Sequence, residues 1–455
     1  MFFRNSFFSF SLGTRRLTKT DPNRQRLCDK TTCLDGTAMS SELLQNASFN
    51  RFWLSRSASG FAYHMTAVAL GWQVYALTGD VFYLGLVGLV EFLPQFLLTL
   101  VVGQVADRFD RGRIVCVCQT LQGLALLALL AGNLGGWLGV GGIFACVAMI
   151  GASRAFETPS MQALLPTLAP SGLFPAMLAF SASAWKTAMI LGPAMGGLLY
   201  MAGPSAVYGA GAGIFLVAAL TSGGIPGSDR PASRPPATWS AALDGLRFIR
   251  KRPVIFGAIS LDLFSVLLGG ATALLPAYAH DILGTGPAGL GLMRAAPSIG
   301  ALAMSVHLAR RPLTRRVGRT MFAAVAVFGL CTIAFGLSRW LPLSVAALAL
   351  LGASDMVSVV IRSTLIQLDT PDALRGRVSA VNAVFIGTSN QLGDFESGLT
   401  AAFLGTVGAV VAGGVGTLCV VALWIYLFPE LARRDALVAA PKPEAEAAQT
   451  PEGTP

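Results

Sequence analysis

Glu91, Arg154, Lys186, Asp262, Asp355 and Asp394 are ionisable side chains set inside long apolar runs of a 455-residue chain. Placing a charge in such surroundings is costly. It is kept where it faces protein or water and handles protons, ions or polar substrate. Glu91 and Lys186 fall near the middle of their runs, and they are expected to approach each other, which would offset the desolvation of both. A fixed structural ion pair and a site whose pairing changes during a working cycle both fit that expectation. Asp262 has no partner nearby in sequence and is a second proton-site candidate. Asp355 and Arg362 are seven residues apart and so share a helix face about two turns apart. Asp394 and Glu396 are two apart and point in different directions, so at most one faces a common path. His64, in mid-run, is read as a hydrogen-bonded helix contact ahead of a proton relay.

The elements that hold these residues must lie in lipid. Hydrophobic residues make up 54% of the chain and charged residues 12%, against about 25% charged in soluble domains. Mean hydropathy is +0.63. A soluble enzyme, a disordered chain and a disulfide scaffold are all excluded by that balance, because only a bilayer accepts so much apolar surface. The net charge of +10 comes mostly from Arg; in this context it reads as basic loops on one side of a membrane rather than as a nucleic-acid surface. Of the seven cysteines, Cys28, Cys33, Cys116, Cys118, Cys146, Cys331 and Cys419, no pair has zinc-ligand spacing with His partners, and they are read as free thiols. No cofactor or metal is expected.

Twelve apolar segments follow one another: 52–77, 82–105, 114–133, 138–158, 173–201, 206–224, 253–278, 287–309, 319–337, 341–363, 377–404 and 407–428. Spans of about 20 residues each need roughly 240 residues, so twelve fit. The expected organisation is an N-terminal extension (1–48), a six-helix bundle (49–224), a linker (225–252), a second six-helix bundle (253–428) and a disordered tail (429–455). Prolines forbid a continuous helix through the first part of the linker. Its end, 239–252, has Leu243, Leu246 and Ile249 at three-residue spacing with Arg247, Arg250 and Lys251 beside them, the pattern of a helix lying on the inner membrane face. Basic residues crowd the loops after segments 2, 8 and 10 and the linker, which puts those loops and both termini in the cytoplasm.

The chain also repeats. Leu84-Gly85-Leu86-Val87 opens segment 2 and Leu290-Gly291-Leu292-Met293 opens segment 8. Gly151-Ala152-Ser153 returns 201 residues later as Gly352-Ala353-Ser354, and at the same offset Leu164, Pro170 and Leu173 meet Leu365, Pro371 and Leu374. Duplicated halves of this kind are a transporter architecture. Charges follow a second rule. Segments 3, 6, 9 and 12 hold no ionisable residue apart from Arg319 at an edge, whereas each of the others holds at least one, including Arg56, Glu157, Arg294 and His307. The uncharged segments are therefore expected to support the bundle from its lipid side, with the other eight lining a polar path.

Two stretches carry a family resemblance. The loop after segment 2 reads Gly103-Gln-Val-Ala-Asp107-Arg108-Phe-Asp110-Arg111-Gly112-Arg113, in which arginines can grip helix-end carbonyls and Asp107 can cap or pair near the surface. It resembles the major facilitator superfamily signature G-x-x-x-D-R-x-G-R-[RK] through Gly103, Asp107, Arg108 and Arg111, with Asp110 and Gly112 departing from it. Segment 5 carries Ala188-x-x-x-Gly192-Pro193-x-x-Gly196-Gly197, similar to the superfamily's antiporter motif with Ala188 in place of the first Gly. Arg154 resembles the start of an R-x-x-x-Q-G element tied to proton coupling, from which Glu157 and Pro159 depart. The resemblance covers residues 49–434. Within the superfamily the chain looks most like the enterobactin-exporter-like branch, the transmembrane secretion effectors, on the stretches Ser153–Pro159, Thr370–Val378 and Gly393–Gly398.

The resemblance implies an all-α integral membrane protein, twelve transmembrane helices in two pseudo-symmetric six-helix bundles, monomeric in a bacterial inner membrane. It implies proton-coupled export of a siderophore or amphiphilic drug by alternating access, with the loop motif as a conformational latch. Uptake or lipid flipping by the same fold, or a non-transporting receptor or assembly factor, are the alternatives. No Gly-rich loop followed by Lys and Ser or Thr is present in the sequence to drive transport with ATP. The Asn46-Ala47-Ser48 sequon is read as carrying no glycan. Residues 1–48 lack a signal-peptide cleavage site and match an over-extended gene start with Met39 as working initiator. Peptide mapping of the expressed protein is expected to find its N terminus at Met39; recovery of residues 1–38 overturns this.

Overall fold

A computed structural model describes residues 45–168, 173–225, 239–313 and 315–436. The linker's proline-rich part, the tail beyond residue 436 and most of the N-terminal extension lie outside them. The elements are α1 (Ala47–Thr78), α2 (Val81–Arg108), α3 (Arg111–Leu134), α4 (Val140–Leu168), α5 (Phe174–Tyr200), α6 (Pro204–Gly223), α7 (Trp239–Arg250), α8 (Pro253–Gly269), α9 (Gly286–Arg310), α10 (Val317–Leu337), α11 (Leu341–Asp369) and α12 (Asp372–Leu427). Among the described residues ten helices are long and apolar enough to cross a membrane. The 32-residue α1, which carries Arg51 and Arg56 near its start, is not one of them.

Polar side chains start the first three helices where the backbone N–H groups lack partners. Asn46 accepts from Phe49 N at 3.0 Å, Asp80 from Phe82 N at 2.9 Å and Asp110 from Arg113 N at 2.8 Å. Asn46 of the sequon is thus a helix cap. Two local readings need correction and a third agrees. The fourth segment does not stop at residue 158: α4 runs through Pro159 and Pro166 to Leu168, as prolines can in membrane helices whose neighbours satisfy the freed carbonyls. The break between segments 11 and 12 falls where it is expected, at a non-helical Gly405 (φ 73°, ψ 165°) within the long α12, a conformation that favours glycine. Past Gly269, segment 7 does not continue as regular α-helix but passes through a 3-10 turn at Ala271–Leu274 and a π-turn at Tyr278–Ile282.

The amphipathic α7 forms as expected, but its apolar side meets protein as well as the surface. Ile249 packs with Ile255, Ile366 and Val378, and Asp244 pairs with Arg377 of α12 at 3.2 Å. Leu246 stays 39% exposed; the side chain of Leu243 lies outside the described residues.

Helices α1 to α6 pack mainly on one another (α3 on α6 and α4, α1 on α5 and α6, α2 on α4), and so do α8 to α12. Two large contacts join the groups, α5 with α9 and α2 with α12. Both depend on paired glycines that let backbones touch. A methyl placed on Gly197 of α5 would sit 3.0 Å from Gly291 Cα on α9, and one on Gly85 of α2 would sit 2.9 Å from Gly398 Cα on α12. The sequence repeat is visible here, because Gly85 and Gly291 are the matched glycines of its opening motif. It recurs inside each group: Gly151 of α4 rests on the Glu91 carbonyl of α2, and Gly352 of α11 rests on the Pro297 carbonyl of α9.

Both seams lie toward the end of the molecule that holds the Gly79 turn. There Tyr75 hydrogen-bonds Asp281, and Trp72 packs against the His280 ring with centroids 5.5 Å apart. The uncharged helices take no major part in the seams. Their apolar side chains, such as Leu121 and Leu124 on α3, Leu220 on α6, Leu330 on α10 and Leu423 on α12, are exposed outward.

Gly197→Val is expected to lower the thermal unfolding midpoint in detergent, since overpacking a tight contact costs about 1–3 kcal/mol. Gly213→Ala, where an added methyl meets nothing within 4 Å, should leave the midpoint unchanged or raise it.

Candidate functional site

Between the two groups of helices, beneath the seams, charged residues from four helices converge. Glu91 on α2 stands 3.9 Å from Arg154 Nε on α4. It also accepts a 2.7 Å hydrogen bond from the Tyr63 hydroxyl on α1, while the Arg154 guanidinium lies 3.6 Å from the centroid of the Tyr63 ring. The close α2–α4 approach at Gly151 sets this pair, because Arg154 follows Gly151 by nearly one turn. From the other group come Arg294 on α9 and Asp394 on α12. Asp394 accepts from Thr272 at 3.1 Å and interacts electrostatically with Arg294. Arg294 Nε is buried without a hydrogen-bond partner.

Tyr63, Glu91, Arg294 and Asp394 line one cavity, which gives about 130 Å³ to the centre of a water-sized sphere. Its remaining wall is largely apolar, including Leu84, Val87, Val147 and Ile150. Two acids and one arginine stand in its wall, and Arg154 pairs with Glu91 from behind it. An apolar chamber with a few convergent polar groups suits a small amphiphilic ligand, and the unpaired guanidinium nitrogen offers a donor to an oxygen of that ligand.

The expected approach of Glu91 to Lys186 is not what the structure shows: the ion-pair partner of Glu91 is Arg154, and Lys186 on α5 acts instead on Asp355 of α11 across the seam. Asp262 of α8 pairs with Arg362 of α11. Asp394 faces the cavity, whereas Glu396 accepts from Thr400 on its own helix at 2.7 Å. His64 is held by rings rather than hydrogen bonds. It packs edge-on against Tyr63 and Trp185, and its Nε2 has no partner.

In the loop motif, Arg111 donates to the Ala163 carbonyl near the end of α4 at 3.2 Å, the grip expected of these arginines, and Arg108 is exposed. The side chain of Asp107 lies outside the described residues, and nothing is described of the packing at Gly103. It is Asp110, one of the departures from the motif, that caps α3. The antiporter-like motif, Ala188, Gly192, Pro193, Gly196 and Gly197, is buried along α5. Gly196 lies against the Met65 backbone of α1 and Gly197 against α9, so the motif joins its helix to one neighbour in each group.

Three residues were not among the sequence-derived candidates. Arg294 carried a signal, being an intramembrane cation three residues after Gly291. Tyr63 carried none, since an aromatic residue in an apolar run is ordinary. Glu157 was noted as an intramembrane charge and as a motif departure, without a role. It is 5% exposed and accepts from Ser59 (2.5 Å), Gln119 (3.0 Å) and Gln122 (2.7 Å). Those uncharged donors come from α1 and α3.

A sequence profile described as transmembrane secretion effector matches residues 39–452. The enterobactin exporter EntS of Escherichia coli O1:K1 / APEC is 25% identical over 397 residues, covering 86% of this chain and 94% of that protein. Among solved structures, a bacterial homologue of the iron transporter ferroportin in an inward-facing state matches with TM-score 0.65 at 16% identity, covering 85% of this chain and 99% of that one. The nucleoside transporter NupG matches with TM-score 0.60 at 14% identity, covering 85% and 99%.

Glu91→Gln and Arg154→Gln should each lower the thermal midpoint, because either leaves a charge unpaired in the bundle. The double substitution should lower it by less than the sum of the two, as measured in a double-mutant cycle by fluorescence-detected unfolding.

Proposed function

This chain belongs to the transmembrane secretion effector family of membrane transporters, and on that footing we propose that it exports a small amphiphilic organic molecule, a siderophore or a drug, in exchange for protons. The observation that carries the reading is the charged cavity between the two helix groups, with the paired-glycine contacts among the described residues lying toward one end of it. In this reading the spans number twelve. Counting α1 and dividing α12 at Gly405 adds two to the ten long apolar helices, and the recurring Gly151 and Gly352 contacts support two related six-helix bundles. The bundles rock about the cavity, which opens to either side in turn.

Loop charge puts the end with these glycine contacts outside and both termini in the cytoplasm of a bacterial cell, the chain working as a monomer in the inner membrane. The state described is then open inward, ready to load substrate. The loop motif anchors the inner ends of α2 and α4 through Arg111, and it acts as a latch when the bundles close on that side.

Glu91 and Asp394 are the carboxylates placed to exchange a proton against substrate, with Arg154 and Arg294 as the cations that each can release or recapture. Each proton moving inward across 100 mV supplies about 2.3 kcal/mol. The name of the relative EntS directs the first substrate trial to enterobactin-type siderophores. The apolar share of the wall directs the second to amphiphilic drugs.

Inverted vesicles containing the protein are expected to accumulate substrate when an ATP-generated proton gradient is present and to lose that uptake with an uncoupler. Glu91→Gln should reduce gradient-driven accumulation at least tenfold while leaving downhill exchange measurable. Full gradient-driven transport by Glu91→Gln removes the coupling role given to it, and gradient-independent flux overturns proton drive.

A further inference from the structure

Behind the central cavity, within the second group of helices, lies a smaller one with both acidic and apolar residues in its wall. α8 carries Asp262 and Ser265 three residues apart, and α11 carries Asp355, Ser358 and Arg362 at steps of three and four. Each set therefore shares a helix face, and the Asp262–Arg362 pair ties the two faces together. Asp262, Ser265, Asp355 and Ser358 line a single cavity, closed on the α10 side by Val325 and Phe328. It gives about 10 Å³ to the centre of a water-sized sphere, room for one particle of that size.

The two serines behave unlike other hydroxyls of these helices. Ser260, Ser354 and Thr364 return their hydroxyls to the carbonyl one turn back, at 2.6, 2.7 and 2.8 Å, the habitual arrangement in a membrane helix. Ser265 and Ser358 are buried, 3% and 2% exposed, and neither Oγ has a hydrogen-bond partner. A buried hydroxyl left unpaired is unfavourable, so two beside one cavity point to a ligand there, and their oxygen lone pairs are free to take it.

Charge narrows the choice. Asp262 is matched by Arg362. Among the described residues no cation stands within ion-pair distance of Asp355; Lys186, on α5 across the seam, reaches it only as a longer-range field. The cavity walls thus hold one net negative charge in the interior of the bundle. A neutral water would satisfy the hydroxyls and leave that charge, which is costly there; one small hard cation satisfies both, because such ions take oxygen ligands.

We propose that this cavity binds one dehydrated sodium ion, held by the carboxylates of Asp355 and Asp262 and the hydroxyls of Ser265 and Ser358. Lys186 and the ion are alternative neutralisers of Asp355. Because Lys186 belongs to the opposite group of helices, occupancy of the site is tied to how the groups sit at the seam. The site stands whether or not the chain exports its substrate with protons.

The test is thermal unfolding of the purified protein in detergent, titrated with sodium chloride against choline chloride at constant ionic strength, with no substrate present. Sodium is expected to raise the midpoint, potassium to do so less, and choline not at all. Ser358→Ala and Asp355→Asn should each weaken the sodium response at least tenfold in midpoint concentration, and Lys186→Gln should tighten it several-fold. Ser358→Ala serves as the decisive variant should Asp355→Asn fail to fold. Equal unfolding in sodium and choline overturns the proposal in favour of a bound water or a proton. A sodium response that survives in Ser358→Ala places the ion elsewhere and also overturns it. Unchanged affinity in Lys186→Gln removes the role given to that lysine.

Discussion

An ionised side chain inside a bilayer is tolerated only beside an opposite charge, a set of hydrogen-bond donors or water. Most of the architecture of this protein answers that demand. Glu91 meets Arg154 and Tyr63, Asp262 meets Arg362, and Glu157 meets three uncharged donors. Because these partners lie on different helices, each charge prescribes which helices must touch. Helices without charges have no such claim on the interior, and α3, α6, α10 and the last arm of α12 expose leucines such as Leu124, Leu220, Leu330 and Leu423.

Glycine supplies the second constraint. Lipid offers little hydrophobic reason for one apolar helix to prefer another, so close association depends on backbones coming near enough for dispersion contacts. Gly85 against Gly398 and Gly197 against Gly291 make such approaches between the two helix groups. Both lie toward the Gly79 end, and the charged cavity sits beneath them. Contacts between small residues are tight yet interlock few side chains. The antiporter-like motif thus has a physical reading here independent of its name, for it supplies α5 with one smooth face toward α1 and another toward α9.

Much of the fold was legible before any coordinates. Long apolar runs require helices in lipid, so most segment positions agree with the helices to within a few residues, and the gap expected after residue 404 falls at the Gly405 break. The repeat pointed to equivalent packing, which Gly151 and Gly352 display. Helix 4 was harder, because Pro159 is a stop signal in water but only a kink in a packed bundle. The course past Gly269 was also hidden, since a 3-10 turn and a π-turn have no distinctive composition.

The sequence by itself determined which residues are costly to bury, which helices hold them, and that helices packed in a membrane should enclose them. It could not pair them. Lys186 and Arg154 are both plausible partners for Glu91 along the chain, and only the approach of α2 to α4 at Gly151 decides for Arg154. Arg294 and Asp394 reach the central cavity, and Ser265 and Ser358 the smaller one, through helices far apart in the chain. The physical reason is range. Burial cost belongs to a residue and its immediate neighbours, whereas pairing depends on distances of a few ångströms between helices, which only their packing sets.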